Sequence, residues 1–139
     1  MDTGQLLERV LPKEGKKVLT LVMPTDNGGS WFKYKSFDTA QEAADAAVAY
    51  DAQGETVYFA VNSFGDWYHD ELKDKKRIRT QSNVHACRSL IDDFDVDSTD
   101  DKKYATRQEA LGDIIKLAQT LRLTPTITSS GGGYHAYFH

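Results

Sequence analysis

Two Thr-x-x-Glu capping boxes constrain the fold more than any other feature of this sequence. Thr39 with Glu42, and Thr106 with Glu109, each combine a side chain that caps a helix start with an acidic residue in the first turn. Alanines follow the first box at helical spacing, and apolar residues follow the second as far as Leu121. The pattern predicts two helices, each standing between short runs rich in β-forming residues.

The runs around these helices predict strands. Turn residues at 25–30 separate two of them as in a β-hairpin. The run Tyr58 to Val61 is almost wholly apolar, which predicts a central position in a sheet. Residues 62–80 are predicted to be irregular, with a short helix at 82–87. The other predicted elements are a helix at 3–11 and strands at 18–23, 31–37, 56–61, 88–96, 125–129 and 134–138.

The element order predicts an α+β (α/β) domain with a mostly antiparallel sheet and flanking helices. The C-terminal β-α-β-β unit resembles half of a ferredoxin-like or RRM-type fold. The length of 139 residues fits a single domain. Within it we distinguish an N-terminal α/β part at 1–64, a polar basic connector at 65–87, and the RRM-like part at 88–139.

Composition excludes several classes of protein. The longest apolar stretches, such as 18–23, are too short to cross a bilayer, and no membrane partner is expected. Nothing at the N-terminus resembles a signal peptide. The single cysteine, Cys87, excludes an internal disulfide and a thiolate zinc site. We therefore expect a cytoplasmic protein.

The charge is unevenly distributed along a chain of net charge −4. Five cations lie within residues 73–79, and six aspartates lie within residues 92–101. A basic strip and an acidic cluster together suit a phosphate-bearing polymer and a divalent metal ion, although two solvated loops would give the same pattern. The candidate nucleic-acid contacts in the strip are Lys75, Lys76, Arg77 and Arg79.

The acidic cluster begins on a predicted strand. Asp93 and Asp95 are two residues apart, so their side chains share a face, and Asp97 joins them if the strand continues. Two neighbouring carboxylates favour a hard divalent ion such as Mg²⁺ or Mn²⁺. One alternative is an acidic loop start. An EF-hand loop is excluded because Ser98 and Tyr104 occupy its glycine and glutamate positions.

A glycine-rich turn precedes the last predicted strand. Residues 129–137 read Ser-Ser-Gly-Gly-Gly-Tyr-His-Ala-Tyr. Successive glycines let a ligand approach the backbone, where N–H groups bind phosphate, and His135 follows on the strand. No Lys-Ser/Thr pair follows the glycines, so the turn is not a Walker A loop. A plain glycine hairpin followed by a polar strand residue is the alternative.

In order and separation, Asp93-x-Asp95 and the segment 126–138 resemble the archaeo-eukaryotic primase superfamily. The closer resemblance is to the primase-polymerase domains at the N-terminus of phage and plasmid replication proteins. It is strongest over residues 79–138 and weaker from residue 31. It implies that Asp93 and Asp95 are catalytic metal ligands for Mg²⁺ or Mn²⁺, and that Ser130, Gly132 and His135 bind the nucleotide.

The resemblance also implies a reaction and partners. The reaction is nucleotidyl transfer from nucleoside triphosphates on a single-stranded DNA template, in a phage- or plasmid-encoded system within a bacterial host. A helicase domain or other replication proteins are further implied partners. The family has a third acidic residue after the histidine motif, and this sequence reaches His139 without one. We therefore expect the N-terminal part of a longer primase-polymerase, with weak or no polymerase activity on its own.

Three other functions share features with parts of the sequence, and two of them lack their motif. A rolling-circle endonuclease needs two histidines separated by a single apolar residue on a strand, whereas His135 and His139 are four positions apart. A metal-dependent phosphoesterase would need histidines at metal-ligand spacing, and the four histidines of this sequence show none. The stronger alternative is a non-catalytic nucleotide or single-stranded nucleic-acid binding module, a degenerate or split primase part. Its predicted stacking residues are Trp31, Trp67 and Tyr68.

Overall fold

The computed structural model describes residues 1–139 and contains three α-helices, one 3₁₀ turn and ten strands. The chain divides into two compact units, Met1–Arg88 and Ser89–His139. Every strand pair in the named sheets is antiparallel, so the α+β class is confirmed. The helices are α1 (Thr3–Val10), α2 (Ala40–Ala52) and α3 (Arg107–Leu121). The strands are β1 (Lys17–Pro24), β2 (Ser30–Phe37), β3 (Thr56–Phe59), β4 (Asn62–Phe64), β5 (Tyr68–Asp70), β6 (Lys75–Arg77), β7 (Val84–Cys87), β8 (Leu90–Asp95), β9 (Pro125–Ser129) and β10 (Gly133–Phe138).

The main sheet of the first unit has the strand order β2-β1-β3. The predicted hairpin is confirmed: β1 and β2 pair in continuous register, and Gly28 takes a positive φ of 80° in the turn. The central position predicted for Tyr58 to Val61 is wrong. Strand β3 lies at the edge and its side chains alternate between exposed and half-buried. The first five residues of β1 are buried instead, because β1 is paired on both sides.

Local side-chain bonds define the helix starts. At the start of α2, Glu42 N–H donates to Thr39 Oγ1 (3.1 Å) and Thr39 N–H donates to Glu42 Oε2 (3.1 Å), which confirms that capping box. At α3 the structure shows one half of the box, the bond from Glu109 N–H to Thr106 Oγ1 (3.2 Å). None of the three helices combines the length and the apolar character that a bilayer crossing requires.

The stretch predicted to be irregular, residues 62–80, instead contains short strands. Strand β4 pairs with β7, and β5 pairs with β6 in a separate hairpin. The predicted short helix at 82–87 is a 3₁₀ turn, Gln81–Asn83, followed by β7. Two apolar anchors hold this region against the main sheet: Phe64 and Ile78 pack with Val18 and Ala60 in one buried cluster. The segment expected as a connector is therefore folded and lies within the first unit.

The second unit is a three-stranded sheet with the order β8-β10-β9 and one helix. Strand β9 has the predicted bounds, and β10 lies in the centre of the sheet. Helix α3 packs on one face of the sheet, where its apolar side chains meet those of the strands. The buried cluster comprises Phe94, Ala110, Ile114, Ala118, Ala136 and Phe138.

Candidate functional site

The two faces of the β8-β10-β9 sheet differ in chemistry. Phe94 and Ala136 point toward α3 and belong to the core. Side chains alternate along a strand, so Asp93, Asp95 and His135 point to the opposite face. We call this surface the carboxylate face, defined by those three residues. The register thus brings the acidic motif and the histidine motif together on one face of one sheet.

Asp93 and His135 are direct partners across β8 and β10. His135 Nε2 lies 3.7 Å from Asp93 Oδ1, which is ion-pair distance when the imidazole is protonated and is longer than a hydrogen bond. Lys103 Nζ lies 3.8 Å from Asp95 Oδ2. The side chains of both aspartates are more than half exposed. The face therefore presents two accessible carboxylates beside an imidazole and an ammonium group.

The remaining aspartates of the acidic cluster have local roles. Strand β8 ends at Asp95, so Asp97 does not extend the row on the strand. Its Oδ1 accepts hydrogen bonds from the backbone N–H (3.0 Å) and hydroxyl (2.7 Å) of Thr99, and these bonds lower the pKa of Asp97. Asp100 similarly accepts from Lys102 N–H (3.0 Å). For these two residues the acidic-loop interpretation is correct.

The donor chemistry of Asp93 and Asp95 fits Mg²⁺ or Mn²⁺, because both ions prefer carboxylate oxygens. The structure contains no group of three or more His, Cys, Asp and Glu side chains that could hold a metal ion. The pair thus offers part of a coordination shell. Magnesium sites at phosphate substrates commonly use one or two carboxylates and take their other ligands from phosphates and water.

The glycine turn brings its backbone unusually close to β8. Ser130 N–H donates to Gly133 C=O (3.1 Å), and Gly131 takes a positive φ of 83° within this two-residue hairpin turn. Gly132 C=O accepts from Val96 N–H (2.8 Å). A Cβ at Gly133 would overlap the carbonyl oxygen of Phe94 and lie 3.0 Å from the Cα of Asp95. The third glycine is therefore a packing requirement at the position paired with Asp95.

Arg107 holds this turn, and sequence reasoning missed it. Its Nη2 donates to Gly131 C=O (2.9 Å) and its Nη1 to Gly133 C=O (3.2 Å). Its guanidinium also lies over the Tyr134 ring, 5.0 Å from the centroid. Arg107 is the first residue of α3, directly after the cap Thr106, so the helix start and the turn meet here. Only its position beside the capping box could have drawn attention to it.

The basic strip is divided between bound and free cations. Arg77 Nη1 donates to Asp70 Oδ2 (2.7 Å), a bond that lowers the pKa of Asp70 and raises that of Arg77. Arg79 Nη1 donates to the buried Thr20 hydroxyl (2.6 Å) and forms no ion pair. Lys75 and Lys76 are exposed on β6. The strip thus leaves Lys73, Lys75, Lys76 and Arg79 without a carboxylate partner.

The aromatic residues predicted to stack are not equally available. Trp67 packs against the buried cluster of the first unit and donates Nε1–H to Ser36 Oγ (3.0 Å). The Tyr68 hydroxyl is hydrogen-bonded to that of Thr80 (2.8 Å). Trp31 is exposed. Phe32 and Tyr58, which were not predicted to stack, are exposed as well.

Comparison with known proteins gives no match of any kind. No family model, no curated protein and no solved structure matches this chain.

Proposed function

We propose that the carboxylate face binds a metal–nucleoside triphosphate complex and serves primase-type nucleotidyl transfer in a DNA primase-polymerase. The carrying observation is the register of β8 and β10, which pairs Asp93 with His135 and puts Asp95 in the next row. Carboxylates suit the metal ion and an imidazole suits the phosphates. The resemblance of the same two motifs to the primase superfamily supports the same function.

Each side chain has a separate role in this proposal. Asp93 and Asp95 would hold Mg²⁺ or Mn²⁺, which stabilises negative charge on the attacking and leaving oxygens during transfer to a primer 3′-hydroxyl. His135, whose Nε2 lies 3.7 Å from Asp93 Oδ1, would donate an N–H hydrogen bond to the triphosphate. Lys103, 3.8 Å from Asp95, would add positive charge for the same phosphates.

The glycine turn would complete the nucleotide site. Gly131 and Gly132 have no side chains that block approach, and nothing lies within 4 Å of where their Cβ atoms would be. Arg107 binds the carbonyls of Gly131 and Gly133 from the α3 side, which fixes the orientation of the turn. Ser130 is exposed at its start. The turn is thereby preorganised before any phosphate arrives.

The strand order of the second unit supports the proposal. Strands β8 and β9 are joined by α3, and β10 lies between them, an order that resembles the split β-α-β half of an RRM-like fold. In that arrangement one face is covered by helix and the other is free for ligand. The polar residues of both motifs stand on the second of these faces.

Calorimetry with a deoxynucleoside triphosphate and Mn²⁺ tests this proposal. Asp95→Asn and His135→Ala are each expected to weaken metal-dependent binding at least tenfold. Asp92→Asn is the matched control, because Asp92 lies on the same strand with the same charge but on the opposite face. Equal losses for Asp92→Asn and Asp95→Asn, or no metal-dependent binding by the unaltered chain, would contradict the proposal.

A non-catalytic nucleotide-binding module is the second candidate. One observation favours it: His135 and the glycine turn that Arg107 holds can contact phosphates without a metal ion. The two candidates differ in their dependence on Asp95. Nucleotide binding that needs no divalent ion and survives Asp95→Asn would support the binding module, whereas Asp95-dependent extension of a primer on a single-stranded template would support the enzyme.

A further inference from the structure

Three aromatic side chains occupy one face of the β2-β1-β3 sheet. Tyr34 and Tyr58 are both paired with Thr20 of the central strand, one on each side, and Phe32 lies in the next row, paired with Val22. Directly paired residues share a face, so all three rings stand on the same side of the sheet. We call this surface, defined by Phe32, Tyr34 and Tyr58, the aromatic face.

Two of the three rings of the aromatic face are exposed although they are of core type. Phe32 is 57% exposed and Tyr58 is 58% exposed. At the other end of the same face Phe64 and Ile78 pack on Val18, and Tyr34 is half-buried against this cluster. Large exposed apolar side chains grouped on one sheet face, rather than scattered singly, mark a surface that binds a partner.

An arginine lies in the middle of this face. Arg79 Nη1 donates to Thr20 Oγ1 (2.6 Å), so its guanidinium sits between the positions of Tyr34 and Tyr58. The bond uses one of five N–H donors, and no carboxylate neutralises the charge.

The residues of the two central rows are otherwise neutral. They are Val22, Phe32, Thr56, Thr20, Tyr34 and Tyr58. The surface therefore presents aromatic rings and the positive charge of Arg79, and it contains no carboxylate. Phe32 and Tyr58 lie on the two strands that flank β1 and in neighbouring rows, so their Cα atoms are about 12 Å apart, a span that two non-adjacent bases of an extended strand can bridge.

We infer that the aromatic face binds single-stranded nucleic acid, with bases stacked on Phe32 and Tyr58 and a phosphate held by Arg79. The exposed rings and the arginine both suit such a ligand, because proteins that bind single strands combine aromatic stacking with a cationic groove. A purely apolar partner would gain nothing from the central guanidinium. The inference rests on the proposed function only for the role of the strand as template.

Fluorescence anisotropy with a labelled oligothymidylate of about 12 nucleotides tests the inference, at about 50 mM salt and without nucleotide or divalent ions. Phe32→Ala and Tyr58→Ala are each expected to weaken binding about 5- to 150-fold, the range for loss of one base–aromatic stack. Phe32→Tyr, which keeps a stacking ring, is expected to retain binding.

Trp31→Ala is the matched control. Trp31 is 51% exposed and adjacent to Phe32, but it pairs with Met23 and points to the other side of the sheet. Its loss is expected to leave oligonucleotide affinity unchanged. Because all three aromatics are exposed, none of these substitutions removes a core contact, and circular dichroism is expected to show the same fold for each.

Arg79→Gln tests the phosphate contact separately. Loss of one phosphate contact is expected to reduce the slope of log affinity against log salt by about 0.7. The inference is overturned if the unaltered chain fails to bind the oligonucleotide, or if Trp31→Ala weakens binding as much as Phe32→Ala. Because the assay contains no nucleotide or metal, its outcome is independent of the calorimetric test at Asp95.

Discussion

The two three-stranded sheets of this protein carry opposite chemistry on their ligand-accessible faces. The first presents Phe32 and Tyr58 around Arg79, and the second presents Asp93 and Asp95 beside His135. In both sheets the pairing is antiparallel and the opposite face carries buried apolar side chains, Leu19 and Leu21 in the first and Phe94 and Ala136 in the second. Similar backbones thus support different surfaces.

The difference shows how sheet alternation assigns function to a face. With a side-chain period of two, one residue of each neighbouring pair on a strand serves the core and the other is free to bind. Rings and guanidinium groups suit the bases and phosphates of a nucleic-acid strand, whereas carboxylates suit a metal ion. Each of the following experiments would break or sharpen that contrast.

The largest expected effect is at Gly133. Gly133→Ala is expected to destabilise the second unit by about 2–3 kcal/mol, since the new Cβ would overlap Phe94 and crowd Asp95. Gly132→Ala is the control, because nothing lies within 4 Å of its added Cβ and its φ is not in the left-handed region. Urea unfolding of both variants measures the difference. Equal stability of the two would mean that the turn does not approach β8 as described.

Arg107 provides the next test. Arg107→Lys is expected to cost about 1 kcal/mol, because one ammonium cannot reproduce the contacts of the guanidinium with Gly131, Gly133 and the Tyr134 ring. Faster hydrogen exchange confined to the turn amides would accompany the loss. Unchanged exchange at Gly131–Gly133 would show that Arg107 does not order the turn.

The two capping boxes predict a smaller difference in stability, between a variant at the start of α2 and one at the start of α3. Glu42→Ala is expected to destabilise by about 0.5 kcal/mol, since the Glu42 carboxylate accepts from the backbone N–H groups of Asp38 and Thr39. Glu109→Ala is expected to cost less, because only the Thr106 half of that box is formed. Thermal unfolding measures the loss of stability in each variant. A larger loss for Glu109→Ala than for Glu42→Ala would show that the box at α2 is not the more complete of the two.

The smallest expected effect is a pH dependence at the β5-β6 hairpin. Arg77, followed by the backbone N–H groups of Lys73 and Leu72, lowers the pKa of Asp70. The folded pKa lies below the unfolded one, so the stabilisation is present above about pH 4 and is lost as pH falls through the folded pKa. In thermal unfolding measured at several pH values, Asp70→Asn is expected to reduce the fall in stability below about pH 4. The same fall in the variant and in the unaltered chain would show that the ion pair contributes nothing.

The elements that the sequence predicted well are those with local causes. The capping residue Thr39, the hairpin turn at 25–30 and the bounds of β9 depend on neighbouring residues, so pattern alone located them. The edge position of β3 and the β4-β7 pair depend on partners far along the chain, which a local pattern does not specify.

The candidate site divides in the same way. Asp93, Asp95 and His135 were selected from spacing, and their shared face follows from strand alternation once β8 and β10 pair. Arg107 was missed because its contacts with the glycine turn cross more than twenty residues of chain. Phe32 and Tyr58 were missed because sequence does not tell an exposed ring in a strand from a buried one.

The most direct test of two chemically distinct faces is a crossed binding experiment. Asp95→Asn and the double variant Phe32→Ala/Tyr58→Ala are each titrated with Mn²⁺–deoxynucleoside triphosphate and, separately, with metal-free oligothymidylate. We expect Asp95→Asn to lose nucleotide and retain oligonucleotide, and the double variant to do the reverse. Loss of both ligands in either variant, or of neither in both, would contradict the account.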